Sequence, residues 1–236
     1  MSDVFDFYPC TIDGKPASIY VNLVYADEAT PPGADTRYTL AIRLRDGGEY
    51  GIGSAEEASV LDAFETTALA AAGDLVFAGR LRYQGIWELT FYGAAGRSFD
   101  AIDRAALAGR ELIIRSEPDA AWAYYRELLL PDAERLRWMD DRRLVEVLGE
   151  QGDHPARPRR IDHRVTFPTE AARDAFVTAI AGEGFVPVVG TKPTTAQVHR
   201  VDRAELEHVH EVVMFLVGAA TPQGGVYEGW IAAIED

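Results

Sequence analysis

Residues able to carry chemistry are sparse in this chain, and their spacing decides what most of them can do. His163 follows Asp162 in the run Arg160-Ile161-Asp162-His163-Arg164-Val165-Thr166-Phe167, where apolar and polar residues alternate. That alternation predicts a half-buried strand, on which neighbouring side chains point to opposite faces, so Asp162 and His163 cannot act as a dyad. His163 then reads as a histidine hydrogen-bonded within the sheet or as part of a functional surface. His199, His208 and His210 invite a metal reading, but His208 and His210 sit about 200° apart around a helix. Zinc needs three or four converging ligands, and the single cysteine, Cys10, is remote in sequence. No metal and no cofactor are expected. Ser54 and Ser98 precede helical patterns without a Gly-x-Ser-x-Gly elbow, so each reads as a cap. Gly47-Gly48, Gly51 and Gly53 form neither a P-loop nor a dinucleotide fingerprint. With no nucleophile beside a base, no catalytic residue is assigned and the chain reads as non-enzymatic.

Charge narrows the partners. Of 236 residues, 23 are basic and 38 acidic, a formal net charge of −15. A phosphate backbone is neutralised by clustered Lys and Arg, so direct nucleic-acid binding is not expected. The one basic cluster, Arg157, Arg159, Arg160 and Arg164, reads as a solvated linker that neutralises neighbouring acids. An acidic surface instead steers the chain towards a basic protein. No run of about 18 apolar residues exists to span a membrane. The start, Met1-Ser2-Asp3-Val4-Phe5-Asp6, lacks the basic flank and apolar core of a signal peptide. A lone cysteine fits a reducing compartment. A cytoplasmic location is expected; the oligomeric state is open.

The elements that must position these residues fall into two α+β domains, 1–140 and 152–236, with a boundary in the Gly- and Pro-rich run Gly149–Pro158. In the second, strand Arg160–Phe167 leads into a helix capped by Thr169 with the apolar face Ala172, Phe176, Ala179 and Ile180. Strands at Phe185–Val189 and Gln197–Val201 follow. Asp202 with Glu205 has capping-box spacing ahead of the stripe Leu206, Val209, Val213, Leu216 and Ala220. Gly224-Gly225 then turns into a last strand, Val226–Ile234. The order βαββαβ is the ferredoxin-like split βαβ unit. The first domain repeats that order from Arg37 as an antiparallel sheet with helices, after an extra hairpin around Asp13-Gly14. Ser54 and Glu57 have capping-box spacing ahead of Leu61, Phe64, Ala68 and Ala72, and Gln84-Gly85 closes a second hairpin. Ser98 opens a short helix to Ala108. Helical connectors carrying Trp122, Tyr125, Trp138 and Leu144 are expected to join the two halves.

Arg160-Ile161-Asp162-His163, a helix ending at Gly184-Phe185, and the closing Val226-Tyr227-Glu228-Gly229-Trp230 together resemble the regulator of ribonuclease activity B family over about residues 152–236. The Tyr-acid-Gly-Trp strand is the most specific part of that likeness. The first 140 or so residues resemble an uncharacterised bacterial domain family that commonly precedes such a unit. The resemblance implies a non-catalytic protein. The family's named member inhibits an endoribonuclease, ribonuclease E, by binding the enzyme rather than RNA.

Period-2 alternation places Tyr227 and Trp230 on opposite faces of the last strand, with Gly229 between them allowing close approach of another backbone. His163, Tyr227, Gly229 and Trp230 are the candidate partner-binding residues. The partner is expected to be a protein, a ribonuclease among the candidates. Two other readings stay open. One is a small-ligand or enzymatic site between the two domains, lined by aromatics such as Trp87, Trp122 and Trp230. The other is an acidic immunity-type protein that masks a basic toxin surface.

Overall fold

A computed structural model of the chain describes residues 4–188 and 192–234. Met1-Ser2-Asp3, Val189 at the end of one expected strand, and Glu235-Asp236 lie outside the described residues. The chain divides into two compact units, residues 1–135 and 136–236. That division falls between Arg135 and Leu136, upstream of the Gly149–Pro158 run. No helix of the described residues is long and apolar enough to cross a membrane.

The first unit is a six-stranded antiparallel sheet. Its elements are β1 (Phe5–Ile12), β2 (Lys15–Asn22), a short α1 (Val24–Asp27), β3 (Thr36–Arg43), α2 (Ala58–Ala72), β4 (Val76–Tyr83), β5 (Ile86–Gly93) and β6 (Leu112–Pro118). The strand order is β1-β2-β4-β5-β3-β6. Without the β1–β2 hairpin, the remaining four strands have the order of a βαββαβ unit, as the sequence pattern predicts. Both tight hairpins turn on residue pairs with positive φ, Asp13-Gly14 at 49° and 72° and Gln84-Gly85 at 46° and 72°. Positive φ at both central positions is the geometry whose twist matches paired strands. Leu61, Phe64, Ala68 and Ala72 of α2 pack on Tyr38, Leu40, Ile42, Trp87, Leu89 and Phe91.

Two expected caps take other partners. Ser54 makes no capping bond, and Glu57 is buried. Both Glu57 carboxylate oxygens accept from the Arg110 guanidinium, at 2.8 and 2.7 Å. A buried, charge-assisted pair in which one guanidinium nitrogen serves both oxygens outcompetes the reciprocal backbone bond of a capping box. The helix expected from Ser98 to Ala108 is only a 3-10 turn, Arg104–Leu107, and Asp103 caps it by accepting from Ala105 N at 2.9 Å. Ser98 donates to Asp100 instead.

The second unit contains nearly all of α3 (Ala133–Glu150), then β7 (Arg159–Thr166), α4 (Glu170–Ala179), a two-residue β8 (Val186–Pro187), β9 (Thr195–Asp202), α5 (Leu206–Ala220) and β10 (Val226–Ala232). The order β10-β7-β9-β8 is the ferredoxin-like arrangement expected. Ile161, Val165 and Val198 from the sheet pack on Phe176 of α4, on Ile180 that caps its end, and on Val209, Val213, Leu216 and Ala220 of α5. Thr169 caps α4 as expected, accepting from Ala172 N at 3.2 Å. Asp202 does not cap α5; its carboxylate accepts from Arg200 at 2.7 Å and pairs with His208 at 2.9 Å.

The Gly149–Pro158 run is not a solvated linker throughout. Asp153 and Arg159 are both buried and paired, and Arg159 also donates to the carbonyls of His154 and Ala233. The arginine thereby ties this segment to the end of β10. Of the basic cluster, Arg159 is interior, whereas Arg160 and Arg164 face solvent. Removing one partner of a buried ion pair strands the other charge. Arg159→Ala should therefore cost about 3–5 kcal/mol in urea unfolding, and Arg164→Ala, half exposed, less than about 1 kcal/mol.

Candidate partner-binding site

The four candidate residues come together on β7 and β10, but three of them are interior. His163, Tyr227 and Trp230 are 0%, 4% and 4% exposed. The expectation that Tyr227 and Trp230 occupy opposite faces is overturned by a β-bulge. Tyr227 lies opposite Val165 and Gly229 opposite Arg164, so Glu228 is the extra residue and the register shifts there. An inserted residue resets the alternation, and side chains three apart both turn into the core. Gly229 makes this possible with φ at +144°, a conformation that L residues avoid. Close approach of another backbone is not its reason, because a Cβ at Gly229 would meet nothing within 4 Å.

Each inward ring is held by a polar partner. The Tyr227 hydroxyl and His163 Nδ1 are 2.7 Å apart, both buried. Burial holds the His163 imidazole down at about 4, with Arg200 adding to the effect and Asp202 opposing it. Burial likewise raises the Tyr227 phenol, so the pair joins two neutral groups at neutral pH. Trp230 Nε1 donates to Asp141 Oδ1 at 2.9 Å, and His210 Nδ1 lies 2.9 Å from the other oxygen of the same carboxylate. Asp141, on α3, is only 1% exposed. Burial raises its carboxyl above the usual value, against the opposing bonds from His210 and Trp230. Arg137, one turn earlier on α3, donates to the Tyr227 carbonyl at 3.1 Å. α3 thus occupies the free edge of β10, where unpaired strand groups otherwise invite another chain.

Sequence reasoning missed Asp141. It sits within Asp140-Asp141-Arg142-Arg143, which reads as a solvated charge run. The signal available was helical phase: Trp138, Asp141, Val145 and Leu148 recur at helical spacing, and Val145 and Leu148 pack on the core. The histidines are dispersed as the helix geometry requires. His208 pairs with Asp202 and His210 with Asp141, while His199 lies opposite Asp162 on the outer sheet face. The aromatics proposed to line a shared cleft, Trp87, Trp122 and Trp230, are each buried within their own unit. Three of the candidates, His163, Gly229 and Trp230, border a groove of about 340 Å³ on the outer face, together with Asp162, Arg164, Glu228 and Ile231.

Two ferredoxin-ordered α+β units in tandem, the second closed by a helix locked on its edge strand, define the class of the molecule. Residues 3–130 match a family of unknown function, DUF695, and residues 138–231 match the regulator of ribonuclease activity B family. The first match spans more than half of the chain, and the chain belongs to that family. The second match begins at Trp138 and so takes in α3, which the sequence resemblance had left outside. No curated protein matches the chain.

Two outcomes follow from this geometry. A histidine whose folded pKa is depressed adds stability that is complete above 6.5 and lost as pH falls towards about 4. That interval corresponds to ~3 kcal/mol. Unfolding free energies measured between pH 7 and 4 should therefore fall less steeply for His163→Gln than for the parent; parallel curves would count against a neutral, buried His163. Trp230→Ala, being interior, should destabilise the second unit by about 3–5 kcal/mol rather than merely trim a surface.

Proposed function

We propose that the chain is a non-catalytic regulator that binds a protein partner through its second unit, and that the partner is an RNA-processing enzyme, a ribonuclease. The observation that carries this reading is the match of residues 138–231 to the regulator of ribonuclease activity B family. The interior chemistry is consistent with it. The bond of His163 with Tyr227, and those of Asp141 with Trp230 and His210, hold β7, β10, α3 and α5 in register. They act on binding by fixing the surface rather than by touching the partner.

Net charge says which partner surface fits. A chain at −15 associates fastest with a basic protein, at a rate that falls with salt. In the second unit the start of α5 offers an acidic contact: Glu207 and Glu211 border a groove of about 420 Å³ together with Leu206, His208 and the ion pair of Arg203 with Glu205. Glu207 and Glu211 are exposed, one turn apart. The proposed site of action is the cytoplasm.

Reversing those two charges tests the reading. The double variant Glu207→Lys, Glu211→Lys should bind a basic ribonuclease at least ~10-fold more weakly in low salt, by surface plasmon resonance, with most of the loss in the association rate. Unchanged association, with the variant folded by circular dichroism, would remove α5 from the contact.

A further inference from the structure

The outer face of the second unit's sheet is covered by none of its helices and is unlike the rest of this acidic chain. Residues facing outward pair across the strands as Arg160 with Val201, Asp162 with His199 and Ile231, and Thr166 with Val226. Four apolar side chains on this face are more than half exposed: Val186 at 51%, Val201 at 64%, Val226 at 65% and Ile231 at 68%. They do not touch as one patch but stand on β8, β9 and β10 around the charged row of β7. Its ionic groups balance. Arg160 binds Asp162 at 2.6–2.8 Å and Arg164 binds Glu228 at 2.8 Å, so two positive charges meet two negative ones.

We propose that this face is the contact between two copies of the chain. A protein at −15 repels its own kind over most of its surface, and this balanced, apolar-flanked face is where that repulsion is absent. A basic partner would be drawn to acidic surface elsewhere, whereas this face best complements one that is itself balanced. The charges along β7 alternate Arg160, Asp162, Arg164. A two-fold axis at the level of His163 runs the two β7 strands antiparallel and sets each Asp162 over the Arg164 of the other copy. With eight residues on β7 and four strands across, the sheet spans roughly 26 Å by 19 Å. Burying it on both copies removes at most about 1,000 Å², the lower limit for a specific interface, so the dimer is weak and reversible. The inference is independent of the ribonuclease reading, which uses α5.

Charge exchange tests it on the full chain by sedimentation equilibrium. The parent should self-associate with increasing concentration. Asp162→Arg and Arg164→Asp should each weaken association at least ~10-fold, because each sets like charges face to face. Mixing the two variants should restore a dimer of one copy of each, since every contact is again of opposite sign. Ile231→Lys, at an exposed position, serves as a second monomerising variant should either charge variant fail to fold. The proposal is overturned by a parent that stays monomeric to ~0.5 mM. It is equally overturned if folded single variants remain monomeric when mixed, or if none of the three variants, Ile231→Lys included, weakens association. Loss of ribonuclease binding in these variants with no change in self-association would assign the face to the partner instead.

Discussion

A buried carboxylate holds the second unit together. Asp141 projects from α3 into the interior, and its two oxygens take Trp230 from β10 and His210 from α5. Removing a carboxylate from water is costly, and the cost is offset here only because both oxygens meet N–H donors in good geometry. The constraint works both ways. α3 cannot leave the edge of β10 without stranding a charge, and Trp230 cannot turn outward without losing the Asp141 acceptor of its Nε1. A helix that looks like a connector in the sequence is thereby an integral part of the unit.

The bulge at Glu228–Gly229 is the second half of the same device. A regular strand would send Tyr227 and Trp230 to opposite faces, and only one could reach the core. The extra residue lets Tyr227 meet His163 while Trp230 meets Asp141, so one short strand secures both β7 and α3. Glu228 is displaced to the outer face, where it pairs with Arg164 and accepts from Thr166. Inner-face packing therefore fixes the pattern of charge on the outer face. Of the Tyr-Glu-Gly-Trp run, the two rings are buried while Glu228 and Gly229 between them meet the outer face.

Much of the architecture was legible in the sequence. Helical stripes such as Leu61, Phe64, Ala68 and Ala72, the Asp13-Gly14 and Gln84-Gly85 turns, and the alternation of β7 all carry strong local signals, and the sheet orders follow from them. What failed was local chemistry with a competing distant partner. Ser54 with Glu57 and Asp202 with Glu205 have capping spacing, but Arg110 in one case and Arg200 with His208 in the other claim the acidic side chain. Spacing along the chain cannot show such partners. The bulge escaped because a period of two presumes an uninterrupted ladder, although Gly229 within a strand was itself a sign of irregularity. Asp141 escaped because composition reads charge as solvent-facing, when its helical phase placed it on the core stripe.

The central claim is that the chain controls an RNA-processing enzyme by binding that enzyme and performs no chemistry of its own. The most direct measurement is the steady-state rate of RNA cleavage by a purified basic ribonuclease, titrated with the intact chain at several RNA concentrations. The account requires the rate to fall with a half-inhibiting concentration that, extrapolated to zero RNA, equals the dissociation constant of chain and enzyme measured without RNA, because the enzyme and not the RNA is bound. Inhibition with no binding of chain to enzyme in the absence of RNA, or a cleavage rate untouched by saturating chain, would contradict it.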